Sequence, residues 1–227
     1  MDFAAGTVLL VNKPLHWTSF DVVNKLRNAL KRKYGSKIKV GHAGTLDPLA
    51  TGLLIICTGK FTKSIDTYQA QEKEYTGTLL LGATTPTLDA EMEPDHLFPT
   101  EHITADLLLV AAQTFIGEIQ QVPPIYSALK IKGQTAYSAA RKGIELEMKP
   151  RTVTIHEFEL TEIELPSVSF RVVCSKGTYI RSLARDLGTA VGSGAYLTGL
   201  CRTRSGEHKL TEAWEVPALI EYINDQV

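Results

Sequence analysis

Cysteine is scarce: Cys57, Cys174 and Cys201 are the only three in 227 residues, and they stand far apart. An odd, scattered set in apolar or strand-like surroundings reads as buried free thiols, which excludes a disulfide framework and a cysteine-based metal site. Long hydrophobic runs are missing as well. Leu53–Cys57 is strand-sized and far short of the roughly 20 apolar residues that cross a bilayer. Met1-Asp2-Phe3-Ala4-Ala5-Gly6 has neither the basic start nor the apolar stretch of a signal peptide, so the expected location is the cytosol, with no membrane partner. There is no Walker pattern, no Gly-x-Gly-x-x-Gly after a strand and no nucleophile elbow. The six histidines (His16, His42, His96, His102, His156, His208) are isolated, none with a second His or Cys at zinc-ligand spacing. No metal and no organic cofactor is expected.

Net charge is also nearly absent, at −1, while hydrophobic residues make up 44% and charged residues 22%, an ordinary globular balance. The charge is unevenly spread. Seven basic residues and no acidic one lie between Lys25 and Lys39, whereas Glu74 to Leu129 contains no Lys or Arg. Two readings fit such a run: a solvated helix end, or a face that takes phosphates. Its position favours the second, because it leads directly into the most distinctive loop of the chain.

That loop is Gly41-His42-Ala43-Gly44-Thr45-Leu46-Asp47-Pro48-Leu49-Ala50-Thr51-Gly52. Glycines permit backbone angles and close approaches that a Cβ forbids, and Pro48 restricts Asp47 to extended or turn geometry. Asp47 is therefore expected at a loop tip, not on a helix. An aspartate before proline commonly just initiates a turn. Arg181, however, lies near the start of an expected helix, where the dipole disfavours a cation, and so is expected to be held there for a partner. A buried Arg181–Asp47 pair would keep the carboxylate ionised, ready to act as nucleophile or base.

The apolar pattern predicts a strand over 7–12 and a helix capped by Thr18, with Asp21 three positions on and Phe20, Val23, Leu26 and Leu30 at helical spacing. Leu53–Cys57 reads as a central strand, Phe61–Gln71 as a helix and Glu74–Gly82 as a strand. The acidic stretch Thr84–Thr100 reads as a surface loop, and Ala105–Phe115 as a helix. Residues 122–143 look like an excursion from the core, with a helix reaching Arg141. Val153–Glu164 and Val168–Cys174 are strands, the latter alternating with period two. A turn at Ser175 opens a helix to about Val191, a last strand covers roughly Tyr196–Gly206, and a helix follows Thr211-Glu212. Without regular βαβ alternation, repeat or linker, the expected class is α+β with a mixed, largely antiparallel central sheet in a single domain over 1–227.

The Asp47 loop resembles the signature of the TruB-type pseudouridine synthases, which modify uridine 55 in the T-loop of transfer RNA. Lys13-Pro14 with Trp17-Thr18-Ser19, Lys73-Glu74-Tyr75, Pro124-Ile125-Tyr126-Ser127-Ala128-Leu129-Lys130 and Lys176-Gly177-Thr178-Tyr179-Ile180-Arg181 follow in family order. The likeness spans roughly residues 6–206. It implies that Asp47 is the essential aspartate, Tyr75 the tyrosine that stacks on the target base, Arg181 the arginine paired with the aspartate, and His42 the histidine that fills the place the base has left. It further implies that Tyr179 and Leu200 line the pocket and that 122–143 is a mobile thumb. Many family members carry a C-terminal RNA-binding PUA domain; none is expected here, so RNA binding is expected to rest on Lys13, the Lys25–Lys39 segment and the thumb residues Lys130, Lys132, Arg141 and Lys142. A monomer without an obligate protein partner is expected.

The chemistry explains why these residue types belong together. A uracil inside a folded loop must be extruded and stacked, and an aromatic supplies roughly 1–3 kcal/mol per base. The N1–C1′ bond then breaks and the base rejoins through C5. Asp47 attacks C1′ or removes a proton from C2′; both routes remain open. A hydrolytic glycosidase would need a second carboxylate, and none stands in these motifs. The rival readings are an RNA-binding or RNA-folding protein, against which the intact Asp47, Tyr75 and Arg181 argue, and a synthase of the same fold acting on another RNA.

Overall fold

A computed structural model describes residues 1–127, 129–131, 134–142, 144 and 146–225. In chain order the strands and α-helices are β1 (Val8–Lys13), α1 (Ser19–Tyr34), β2 (Val40–His42), β3 (Ala50–Thr58), α2 (Ile65–Ala70), β4 (Lys73–Leu81), β5 (Ala83–Thr84), β6 (His96–Leu97), α3 (Ala105–Gln113), β7 (Gly117–Gln121), β8 (Lys130–Ile131), β9 (Gln134–Thr135), α4 (Ala136–Ala140), β10 (Arg151–Glu164), β11 (Ser167–Cys174), α5 (Ile180–Ala190), β12 (Ala195–Ser205), β13 (His208–Lys209), β14 (Trp214–Glu215) and α6 (Val216–Asp225). The chain divides into two compact units, one of Met1–Thr76 with Leu200–Val227 and one of Gly77–Gly199. It leaves the first unit inside β4 and returns inside β12. The expected α+β class with a mixed sheet is what the strands form: β1/β3, β2/β3, β10/β11, β10/β7 and β12/β13 pair antiparallel, and β1/β14 and β3/β12 parallel.

In the first unit the order is β14-β1-β3-β12, with β2 also on β3 and β13 on β12. From Leu53 to Thr58, β3 is buried at every position, which is why it reads as an unbroken apolar run. Leu54 and Ile56 join Leu9 and Val11 of β1 under α1 and α6, while Ile55 and Cys57 face Ala43, Ile65 and Tyr68. The capping box at Thr18 forms as expected: Thr18 Oγ1 accepts from the Asp21 N–H at 3.0 Å, and the Asp21 carboxylate accepts from the Thr18 N–H at 2.8 Å. Gly35, at φ 65°, ends α1 in the left-handed conformation. The buried face of α1 is Val22, Val23, Leu26, Ala29 and Leu30. Phe20 is 54% exposed, with the Arg27 guanidinium 5.5 Å from its ring centre, because at 100° per residue it points away from the face that buries Val22, Val23 and Leu26. The helix expected over 61–71 begins as a 3-10 turn, Gly59–Ser64, and only Ile65–Ala70 is α-helical.

In the second unit the strands that follow β4 in the sheet order are β11, β10 and β7, with β7 at the edge. Val153, Ile155 and Phe158 of β10 and Val168, Phe170 and Val172 of β11 are buried, and the Phe158 ring meets both Phe115 and Phe170 edge-on. Among the described residues no helix is long and apolar enough to cross a membrane.

Candidate active site

Asp47 lies in the irregular segment between β2 and β3, half-buried, as the loop composition predicts. The turn reading holds too, since the Asp47 carbonyl accepts from the Ala50 N–H at 3.0 Å. Turn formation alone does not require what surrounds it. Ser19, at the start of α1, uses one hydroxyl twice: it accepts from the Leu46 N–H at 2.8 Å and donates to the Leu46 carbonyl at 3.2 Å. On the other side of Asp47, the Pro48 carbonyl accepts from the His16 N–H at 2.8 Å. Both neighbours of the carboxylate are thus tied to the segment that follows β1. Gly52 has φ +101°, and a Cβ there would fall 2.4 Å from the Arg202 carbonyl oxygen. Gly52→Ala is therefore expected to destabilise the protein by about 3 kcal/mol or more, measured by urea unfolding, because backbone lies on both sides of the clash.

Lys13 is fully buried at the end of β1, and its ammonium donates to the carbonyls of Pro14 at 2.9 Å, Trp17 at 2.5 Å and Pro48 at 3.4 Å. This corrects its expected place among the RNA contacts. A side chain with no exposed surface and its donors turned to backbone carbonyls braces the Asp47 loop and leaves nothing for a phosphate. Burial lowers its pKa from the ordinary 10.5 to about 8, with the Arg202 charge acting in the same direction and the Asp47 charge opposing both. Between pH 8 and 10.5 the unfolded chain then binds more protons at this site than the folded one, so stability rises with pH across that window. Wild type should gain unfolding free energy relative to Lys13→Met as the pH is raised from 7 to 10 in urea titrations. A constant difference would show that the lysine is not desolvated.

His42 closes β2 and is half-buried. Burial first, and then the Arg202 charge, hold its pKa below the ordinary imidazole value, so the ring is neutral at pH 7. It can pack or accept a hydrogen bond, but it brings no positive charge to RNA at that pH. Tyr75 stands on β4 and is 9% exposed. Leu200 pairs in register with Ala50, and its carbonyl accepts from Thr51 Oγ1 at 3.4 Å. Of the basic run, Lys25, Arg27, Lys31, Arg32, Lys37 and Lys39 are exposed. Arg27 also donates to the Val40 carbonyl at 2.6 Å, which joins α1 to β2.

In the second unit Arg181 sits in the first turn of α5 and is 5% exposed. Its guanidinium donates to the carbonyls of Thr87 at 2.7 Å and Tyr126 at 2.8 Å and lies 3.4 Å from the Asp89 carboxylate. Asp89 corrects the surface-loop reading of Thr84–Thr100. The Thr85 and Thr87 hydroxyls donate to its carbonyl, the Glu91 N–H donates to its carboxylate, and it bridges to Leu197, so the acid is 5% exposed inside a stretch otherwise rich in surface residues. Sequence reasoning passed over it because its neighbours are acidic; the one usable signal was the Thr85-x-Thr87-x-Asp89 spacing of hydroxyls before a carboxylate.

Tyr179 caps α5, with both of its backbone polar groups taken by the Gln121 side chain at 2.8 and 3.1 Å and the Arg151 guanidinium 4.4 Å from its ring centre. Arg141 is exposed, stacks over Tyr137 at 4.7 Å and lies 4.0 Å from Glu91. Lys142 is exposed. Lys132 lies outside the described residues, and for Lys130 the description is confined to its backbone in β8. Among the described residues no group of His, Cys, Asp and Glu could hold a metal ion.

A family model described as the N-terminal domain of the TruB family of pseudouridylate synthases matches residues 31–180, about two thirds of the chain and the stretch that holds Asp47, Tyr75 and Tyr179. The chain belongs to the TruB family. Its TruB relatives include the tRNA pseudouridine synthase B of Parabacteroides distasonis, 57% identical over the whole of this chain and 97% of that protein. Another, of the same name, is from Flavobacterium johnsoniae, 56% identical over 95% of each chain. Among solved structures, a Cbf5-Nop10-Gar1 complex contains a chain superposing with a TM-score of 0.74 at 31% identity, of which this TruB-family chain covers 55%.

Proposed function

We propose that this pseudouridylate synthase acts on transfer RNA, converting uridine 55 of the T-loop to pseudouridine in the cytosol, as a monomer and without metal or organic cofactor. The observation that carries the reading is the bracing of the Asp47 loop, where Ser19 and Lys13 take the polar groups of both residues flanking the carboxylate. Relatives that match the chain end to end at 55–57% identity bear the name tRNA pseudouridine synthase B, which supports the substrate.

In the reaction the uracil leaves the loop and stacks on Tyr75, while neutral His42 occupies the vacated position, where a charged ring would be costly among bases. Asp47 acts at the ribose, either at C1′ as nucleophile or at C2′ as base, and the N1–C1′ bond breaks. Arg181 supplies the cation that the family pairs with this aspartate. The freed uracil turns and C5 bonds to C1′, displacing the Asp47 carboxylate from C1′ in the first route or with return of the proton to C2′ in the second; C5 then loses its proton and N1 gains one, which restores the ring. The family resemblance gives Tyr179 and Leu200 the task of retaining the base. Lys25, Arg27, Lys31, Arg32, Lys37 and Lys39 take backbone phosphates, helped by Arg141, Lys142, Lys130 and Lys132 from the segment 122–143.

The test is conversion of a minimal T-stem-loop by purified protein, with pseudouridine mapped by reverse transcription after carbodiimide treatment. One modified position is expected, with none when the target uridine is replaced by cytidine. Absence of product on this RNA, with product on ribosomal RNA fragments, would overturn the substrate assignment in favour of a synthase of the same fold acting on another RNA.

A further inference from the structure

Arg202 belongs to none of the motifs that carry the family resemblance, yet it is the largest fully buried side chain among the described residues, at 2% exposure. It lies on β12, in parallel register with Gly52 of β3. Its Nε donates to the Leu53 carbonyl at 2.7 Å and its Nη2 donates to the Gly44 carbonyl at 3.2 Å. Those carbonyls stand on either side of Asp47 in the chain, Gly44 within the loop and Leu53 in β3 just after it. Gly44 has φ +101°, the left-handed region that favours glycine, and its Cα faces the guanidinium, so that a Cβ there would stand in contact with Arg202 Nη1 at 3.4 Å. One rigid planar cation therefore spans the base of the loop from inside the protein.

From these contacts we infer that Arg202 is a positioning residue for the reaction, a clamp that fixes the distance between Gly44 and Leu53 and with it the place of the Asp47 carboxylate. The inference rests on the reading of Asp47 as the reacting group. A phosphate-binding role is excluded by burial. A purely space-filling role does not account for the choice of side chain, since a buried guanidinium is costly to desolvate and an apolar residue of similar length would fill the volume. Planarity and several fixed donors are what Arg offers over Lys for reaching two acceptors at once. The charge also acts locally: behind burial, it adds to the lowering of the Lys13 and His42 pKa values.

The experiment compares Arg202→Lys and Arg202→Met with wild type by single-turnover conversion of the T-stem-loop, RNA affinity by filter binding and urea unfolding. Arg202→Lys retains the charge but reaches one carbonyl, so the expected result is cooperative unfolding, Kd within threefold of wild type and a rate about 100-fold lower, the scale at which an ångström of misplacement acts. Arg202→Met, where it folds, should fall at least as far. A rate within threefold of wild type for Arg202→Lys would overturn the proposal. So would loss of folding in Arg202→Lys, or a loss of RNA affinity in proportion to the loss of rate, either of which makes Arg202 a general structural residue. Asp47→Asn is measured beside them: an active Asp47→Asn defeats the reading of Asp47 itself, whereas an inactive Asp47→Asn beside a fully active Arg202→Lys defeats only the clamp.

Discussion

Asp47→Asn is expected to lower single-turnover pseudouridine formation by about 10⁴-fold or more, with RNA affinity within threefold of wild type. The amide is isosteric, and the bonds from Ser19 to Leu46, from the Ala50 N–H to the Asp47 carbonyl and from the His16 N–H to the Pro48 carbonyl are untouched by the change, so the loop keeps its shape. What disappears is the anion. An amide oxygen neither attacks C1′ nor takes a proton from C2′ at a useful rate, so both chemical routes close together. A parallel loss of affinity would mean that Asp47 holds RNA instead of transforming it, and retained turnover would remove it from the chemistry.

Arg181→Met is expected to cost about 3 kcal/mol of stability and to abolish detectable turnover. The pair is buried, with the side chains of Arg181 and Asp89 only 6% and 8% exposed, and Asp89 would be left as a carboxylate without its counter-ion. The carbonyls of Thr87 and Tyr126 would lose their donors in the same step. Adding Asp89→Asn should recover part of the stability, since it removes the stranded charge, and should recover none of the turnover. Urea unfolding of the single and double variants checks the first claim, and single-turnover assay checks the second. Additive destabilisation in the double variant would show that the two side chains do not depend on one another.

Local rules carried far in this chain. The Thr18 capping box, the buried run of β3 and the alternation of β11 follow from spacing alone, and the Asp47 loop declares itself through Pro48 and the glycines. Gly52 shows the limit of that reading: glycine signals an unusual backbone, but only the register of β12 against β3 says that Arg202 is what lies against it. Asp89 and Arg202 escaped for the same reason. One is a buried acid among exposed acids, the other a buried arginine in a strand where Arg204 also alternates, and composition assigns both to the surface. Lys13 was visible as part of a motif, yet its burial depends on Trp17 and Pro48 turning their carbonyls inward. The passage between the two units lies within β4 and β12, strands with no linker-like composition, so no sequence signal marks it.

The double use of the Ser19 hydroxyl has a metric consequence. It anchors the first residue of α1 to Leu46, beside the carboxylate, while Lys31 and Arg32 stand on the last turn of the same helix, about 20 Å along its axis at 1.5 Å per residue. A 16-residue rod with a capped start and a glycine stop keeps that interval constant. On the proposed function the helix is a ruler: it would set how far along an RNA strand the phosphates held by Lys31 and Arg32 lie from the nucleotide at Asp47, and one added turn would move that mark by about 5.4 Å.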